Sequence, residues 1–318
     1  MKVGFIGLGN VGASLAGNIL RNGFELIVRD LDSSVTEQFR LMGASVADSP
    51  RKVAEFADVI VTCLPNPEAS ASVMEGEDGV LGGLREGHIW IEMSTTDKQE
   101  IRRLAALVEA AGGSAADCPV SGGCHRAATG NIAIFAGCNR KVFDEIFPLL
   151  SVVGGEILHT GELGSASVLK VITNFLATAN LVALCEALAT TQASGVDLGL
   201  AYEAIRISSG NSFVHETESQ VILNGSRDIN FTMDLVLKDI SLFHEIAEQL
   251  NVMLEVSPLL IDIFQDAQKR YGPKEWSPNV IRRLEDRTGL DITFPGFPAQ
   301  IFDNEPSSLG KEVTVSRK

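Results

Sequence analysis

The hydrophobic pattern of this chain changes character about halfway along. Over the first half, short apolar runs at 2–6, 25–29, 58–63, 88–93 and 114–117 alternate with stretches at helical spacing, at 10–20, 34–42, 51–56 and from 97 onward. Apolar runs without alternation fit strands covered on both faces, and strand–helix–strand order implies a parallel sheet. Residues 44–46, 131–137 and 156–159 read as further strands, with a helix over 140–150 between the last two. From Leu163 the strand signals stop. A long helical pattern rich in Ala and Leu runs over 165–194. It is apolar nearly all round, so it calls for burial between domains or subunits. Helices follow at 198–207, 214–223, 233–249 and 258–270, with a short one at 279–287. No internal repeat is visible. Beyond Tyr271 the prolines 273, 278, 295, 298 and 306 interrupt any pattern, and the polar last dozen or so residues are expected to be mobile.

The first apolar run, Lys2 to Ile6, leads into Gly7-Leu8-Gly9-Asn10-Val11-Gly12 and then into a helical stretch through Leu15, Ile19 and Leu20. Strand, glycines in G-x-G-x-x-G spacing and helix together make a dinucleotide-binding fingerprint. Gly7 permits the tight turn, Gly9 lets the backbone approach a pyrophosphate, and Gly12 lets helix and strand pack closely. The N–H groups of Asn10 and Val11, at the helix start, face the anion. The next strand ends at Asp30, 18 residues past Gly12, where a carboxylate can accept from both adenosine ribose hydroxyls. The bland alternative is a glycine-rich turn in an ordinary α/β domain. The expected architecture is therefore α/β: an N-terminal Rossmann-type parallel sheet domain over 1–163, then an all-α C-terminal domain over 164–290 serving substrate binding and oligomerisation. Residues 291–318 are expected to form an irregular tail.

A chain of 318 residues has room for two domains and a large core. Its net charge of −15, without Lys/Arg clusters, argues against nucleic acid and is read as solubility. With the chain opening on a core strand, no leader is expected. The longest apolar run, 182–188, contains Glu186 and is too short for a bilayer, so no membrane partner is expected. Cysteines 63, 118, 124, 138 and 185 are odd in number and lack C-x-x-C spacing. Reduced thiols in a cytoplasmic protein fit them, with no metal site. His88, His159, His215 and His244 lack metal-like spacing and read as structural.

Several positions carry chemistry. Leu64-Pro65 ends the third long strand at the sheet's carboxyl edge, where ligands bind in open α/β folds. Ser94-Thr95-Thr96 follows another strand, and its hydroxyls suit either capping of the next helix or contact with a nucleotide. Ser121-Gly122-Gly123 leaves backbone N–H groups uncovered, a shape suited to a carboxylate, though also to a plain turn. Lys170 and Asn174, four apart on the long helix, share one face among apolar neighbours. Such a lysine is at a helix end, paired, or functional in proton transfer.

Four ordered motifs resemble the β-hydroxyacid dehydrogenases: Gly4 to Gly12, Asp117-Cys118-Pro119-Val120-Ser121-Gly122-Gly123, Gly164…Lys170…Asn174, and Lys238-Asp239. The likeness spans residues 1–272. It implies Lys170 as catalytic lysine with Asn174 as its partner at the substrate, and Ser121, Gly122 and Gly123 as the substrate-carboxylate loop. It further implies that Leu64, Pro65 and Thr95 contact the nucleotide, that Lys238 lies near the nicotinamide, and that Asp239 orients Lys238 or the substrate loop. Departures are Val11 for the usual methionine, Cys118 for alanine, and Ala166 for a glycine, the last expected to narrow the cleft. Cys124-His125-Arg126 is bulkier and more polar than the resemblance leads one to expect, which leaves the substrate open. His125 and Arg126 read as substrate contacts or as surface residues.

The implied activity is NAD-dependent hydride transfer with a small 3-hydroxy acid, or reduction of the matching semialdehyde, with lysine as general acid/base. The implied assembly is a homo-oligomer, dimer or tetramer. The segment with Trp276, Phe294 and Phe297 is expected over a neighbouring subunit or its cleft. An imine reductase-like NAD(P)H enzyme is the alternative, disfavoured by Lys170. A non-catalytic dinucleotide reader is disfavoured by both Lys170 and the Ser121 loop, and a flavoprotein by the lack of a second flavin signature.

Overall fold

A computed structural model describes residues 1–315. Its first part runs β1 (Lys2–Ile6), α1 (Asn10–Arg21), β2 (Glu25–Arg29), α2 (Ser33–Leu41), β3 (Ser45–Val46), α3 (Pro50–Phe56), β4 (Val59–Thr62), α4 (Pro67–Glu75), β5 (Ile89–Glu92) and α5 (Lys98–Ala110). It continues through β6 (Ser114–Asp117), β7 (Val120–Ser121), α6 (Gly123–Thr129), β8 (Ile132–Gly137), α7 (Arg140–Val153) and β9 (Gly154–Gly161). Helices follow: α8 (Ser165–Ala193), α9 (Leu198–Arg206), α10 (Phe213–Asn224), α11 (Met233–Gln249), α12 (Val256–Tyr271) and α13 (Arg282–Thr288). A last strand, β10 (Lys311–Glu312), closes the described chain.

The sheet has the order β10-β9-β8-β6-β5-β4-β1-β2-β3, with β7 beside β8. It is parallel except where β8 meets β6 and β7 antiparallel. Burial explains the apolar runs. Phe5 packs on one face with Leu15, Ile91 and Phe143, while its neighbour Ile6 packs on the other with Ile60, Trp90 and Ile101. Each such side chain contributes about 1.5–3 kcal/mol. Two helices of this unit carry no periodic signal in the sequence. α4 starts on Pro67 with Asn66 accepting from the Ala69 amide, but its small and polar residues show no apolar stripe. α6 spans only seven residues, too few to show a period.

Two compact units emerge, residues 1–170 with the segment from Asp303 on, and residues 171–302. The first turn of α8 packs on Gly137 and bonds to β6, so the compact sheet unit includes it as far as Lys170, seven residues past the expected boundary at 163. The segment expected as an irregular 291–318 tail is shared between the units. Phe294 and Phe297, both half-buried, pack against the helical core of their own chain, with Phe297 on Tyr202 at 5.0 Å and the Phe294 amide on the Leu223 carbonyl. Lys311 and Glu312 pair with β9, and the Val313 amide bonds to Ile157, so this stretch is an edge strand rather than a mobile end. Two paired residues are too short to show an alternating pattern in the sequence. The rest of the expected mobile end, 316–318, lies outside the described residues.

By length and composition α8 is long and apolar enough to cross a membrane, which the short run at 182–188 did not reveal. Its Leu181, Leu184, Cys185 and Leu188 pack with Ile240, Leu260 and Phe264 in the core of the helical unit. Leu169 and Leu176 stay 38% and 54% exposed, so one chain does not cover the helix all round.

Candidate active site

The glycine turn has the shape its sequence implies. Gly7 sits at φ +97°, and a Cβ there would meet the Cys63 carbonyl at 2.3 Å. A Cβ on Gly12 would lie 2.1 Å from the Gly7 carbonyl, so helix and strand meet only if that residue is glycine. A Cβ on Gly9 would meet nothing within 4 Å, so its outer side is open space. α1 starts at Asn10, and no side chain caps its first turn. The amides of Asn10 and Val11 therefore stay available to an anion. Asp30 stands beside this turn: its Oδ2 accepts from the Leu8 amide at 2.6 Å and its Oδ1 from the Asp32 amide at 2.8 Å. Each oxygen keeps a lone pair for a ribose hydroxyl. These residues fit an NAD: a turn with room for pyrophosphate, uncapped amides, and a carboxylate for the adenosine ribose.

The loops after β4 and β5 join at the same sheet edge. The Leu64 amide donates to Ser94 Oγ at 2.7 Å, and Ser94 donates in turn to Glu92 Oε1 through its hydroxyl and, at 2.9 Å, its amide. Glu92 is fully buried, which pushes its carboxyl above the ordinary range against the bonds from Ser94. Helix capping is not the task of these hydroxyls, because Asp97 caps α5 by accepting from the Gln99 and Glu100 amides. Ser94 instead ties the Leu64-Pro65 loop to β5. Thr95 beside it is half-buried and Pro65 exposed. Glu92 and Ser94 were not singled out from sequence for this role, although a buried polar residue ending an apolar strand was the available signal.

Ser121 ends β7, and Gly122 and Gly123 follow at φ +126° and +86°, turning the chain into α6. Asp117, at the end of β6, is fully buried and accepts from the amide and hydroxyl of Ser167 in the first turn of α8. Burial pushes its carboxyl up to about 6, against those bonds. Lys170 is 7% exposed, three residues further along. Ala166 does not narrow a cleft as expected: it is completely buried in the contact of α8 with the sheet. Arg126 pairs with Glu305 at 3.0 Å, and His125 is half-buried with burial pushing its imidazole down. The other four histidines bond locally, His159 and His215 to the Cys138 and Tyr202 carbonyls, His244 to Ser257, and His88 to the Arg85 amide.

In the helical unit, Asp239 is the hub. Its carboxylate, 1% exposed as a residue, accepts from Asn174 Nδ2 and holds Lys238 Nζ at 2.7 Å. Asn174 lies one turn beyond Lys170 along α8. A buried carboxylate gripping both the amide and the ammonium keeps Asn174 in one rotamer, with its carbonyl oxygen turned away from the acid.

Residues 2–161 match the family described as the NAD binding domain of 6-phosphogluconate dehydrogenase. Residues 164–284 match the one described as NAD-binding of NADP-dependent 3-hydroxyisobutyrate dehydrogenase. The 2-(hydroxymethyl)glutarate dehydrogenase of Eubacterium barkeri is 32% identical over 294 residues, 92% of this chain and 98% of that protein. The NAD-dependent L-serine dehydrogenase of Pseudomonas aeruginosa is 30% identical over 295 residues, 90% of this chain and 98% of that protein. A crystal structure of 3-hydroxyisobutyrate dehydrogenase from Salmonella typhimurium superposes with a TM-score of 0.82 at 27% identity, covering 89% of this chain and 99% of that one.

Proposed function

Since this chain belongs to the β-hydroxyacid dehydrogenase family, we propose that it oxidises a small 3-hydroxy acid with NAD through Lys170, or reduces the matching semialdehyde. The molecules named for its relatives, 2-(hydroxymethyl)glutarate, L-serine and 3-hydroxyisobutyrate, share one unit: a CH2OH on the carbon that bears the carboxylate. We carry that substrate class to this chain.

The observation that carries the reading is Lys170, buried on α8 one turn from an Asn174 locked by Asp239. Ser121, Gly122 and Gly123 bind the substrate carboxylate, which fixes the distance to the neighbouring hydroxyl-bearing carbon. The Asn174 carbonyl oxygen accepts from the hydroxyl and orients it. Lys170, in its neutral form, takes the hydroxyl proton as the C–O bond becomes a carbonyl. NAD, when bound, supplies the acceptor for the hydride that leaves the same carbon. Gly7, Gly9, Asn10, Val11, Gly12 and Asp30 hold its pyrophosphate and ribose, and Leu64, Pro65, Thr95 and Lys238 the remainder. In the reductive direction Lys170 returns the proton.

Neither rival fits as well. An imine reductase-like enzyme has no use for the carboxylate loop, and a non-catalytic reader none for Lys170 and its partners. The test is a dehydrogenase screen with NAD over 3-hydroxy acids and semialdehydes. Turnover of a CH2OH acid supports the reading, and inertness toward all of them sinks it.

A homo-oligomer, dimer or tetramer, in the cytoplasm is part of the same proposal, with no nucleic-acid or membrane partner. Exposed Leu176, Leu200, Ile207 and Phe213 on the helical unit support assembly, and five free thiols support a reducing compartment. A monomer mass in light scattering at micromolar concentration would refute assembly.

A further inference from the structure

The segment after the helical unit lies outside both matched families, the second of which ends at residue 284. From Asp303 it belongs to the sheet unit, and its polar anchors converge on one place. Asp303 Oδ2 accepts from Thr129 Oγ1 and, at 2.7 Å, from Asn131 Nδ2. Asn131 Nδ2 also donates to the Glu305 carbonyl at 3.1 Å, and Arg126 Nη2 meets Glu305 Oε1 at 3.0 Å. Further along, Glu312 holds Arg140 through two bonds of 2.6 and 3.0 Å, and β10 pairs with β9. The strap is therefore seated at both ends, and its first end sits on α6 and the start of β8.

α6 opens at Gly123, the last residue of the Ser121-Gly122-Gly123 loop. Seven residues are too few to stand as a helix without tertiary support. The loop before it passes through two glycines at positive φ, so its amides point wherever α6 places them. One support comes from the helix behind the glycine turn: Asn18 Nδ2 donates to the Ala127 carbonyl at 2.8 Å. The other is the strap.

We infer that Asp303 and Glu305 are positioning residues for the substrate-carboxylate loop, acting through Thr129, Asn131 and Arg126 on α6 and β8. The inference rests on the reading of that loop as the carboxylate site. Arg126 is then a structural anchor of the loop rather than a substrate contact. A displacement of about 1 Å at such a loop is enough to cost roughly 10²-fold in rate, so looser anchoring registers in kinetics.

The test compares full-length Asp303→Ala/Glu305→Ala with Asp303→Asn/Glu305→Gln. The amide oxygens of the second variant still accept from Thr129, Asn131 and Arg126, and the one bond lost, from the Glu305 amide to Asp303 Oδ1, lies within the strap itself. In the alanine variant, KM for the 3-hydroxy acid rises about tenfold while KM for NAD stays within about twofold. Amide hydrogen exchange speeds up in peptides covering 120–131 and not in those covering 2–21. The Asn/Gln variant matches the wild type in both. Unchanged exchange over 120–131, or a rise in both KM values together, overturns the inference. Should no 3-hydroxy acid be turned over, the function fails but the exchange comparison still decides whether the strap anchors α6.

Discussion

Asp117 and Ser167 are joined twice, Oδ2 accepting from the Ser167 amide and Oδ1 from its hydroxyl, both at 2.8 Å. One residue ends β6 and the other lies in the first turn of α8, so the bonds fix the helix that carries Lys170 against the carboxyl edge of the sheet. A carboxylate at a helix start also opposes the positive end of the helix dipole. Loss of this anchor in Asp117→Ala leaves a buried amide without its partner and is expected to destabilise by about 2–4 kcal/mol, with a lower kcat. Urea unfolding and steady-state kinetics check both.

The same carboxyl produces a pH dependence. Its folded pKa, about 6, lies above that of an ordinary aspartate, so its contribution to stability is full below about pH 4. That contribution is lost as pH rises through about 6. Asp117→Asn does not titrate, its oxygen still accepts from the Ser167 amide and its Nδ2 donates to the Ser167 hydroxyl, so its stability relative to wild type should improve between pH 4 and 6 and then level off. Parallel stability curves for the two proteins would show that Asp117 does not titrate in this range.

Gly9 and Gly12 separate binding from folding. Gly9→Ala places its methyl in open space and should keep wild-type stability within about 0.5 kcal/mol, while NAD affinity falls at least about tenfold. Gly12→Ala drives a methyl to 2.1 Å from the Gly7 carbonyl and should lose stability as well as affinity. Thermal melts with and without NAD distinguish the two. Tight NAD binding by Gly9→Ala would place the pyrophosphate elsewhere.

Lys170→Ala should lower turnover about 10²- to 10⁴-fold, the range for loss of general acid–base catalysis. The glycine turn and Asp30, rather than Lys170, are the groups assigned to the nucleotide, so NAD affinity by calorimetry is expected to be nearly unchanged. Activity within about threefold of wild type would remove Lys170 from the chemistry.

Cofactor choice turns on Asp30 and Leu31. A 2′-phosphate would bring its charge against Asp30, and Leu31, 93% exposed, offers no cation. NAD is expected to be preferred over NADP by roughly 10²-fold in kcat/KM. Asp30→Asn with Leu31→Arg should reverse the preference, although it also weakens the hold on the Leu8 amide. Equal use of both cofactors by the wild type would mean that Arg29 reaches the phosphate.

What was legible in the sequence was what local periodicity and sterics impose. Strands covered on both faces must be apolar throughout, so 58–63 and 88–93 announced β4 and β5 within a residue or so of their ends. A turn whose Cβ atoms would collide with backbone must be glycine, so Gly7 and Gly12 stood out. Lys170 and Asn174 share a face by helical spacing alone. The tertiary structure decided which distant polar groups meet: Asp117 with Ser167 across 50 residues, Asn174 with Asp239 across 65, and Thr129 with Asp303 across 174. No sequence period encodes such pairs, because each depends on strand register and on where the packed chain leaves a buried carboxylate facing a donor. The strap stayed hidden for the same reason: its anchors are single side chains and one two-residue strand, whose partners exist only once the sheet has formed.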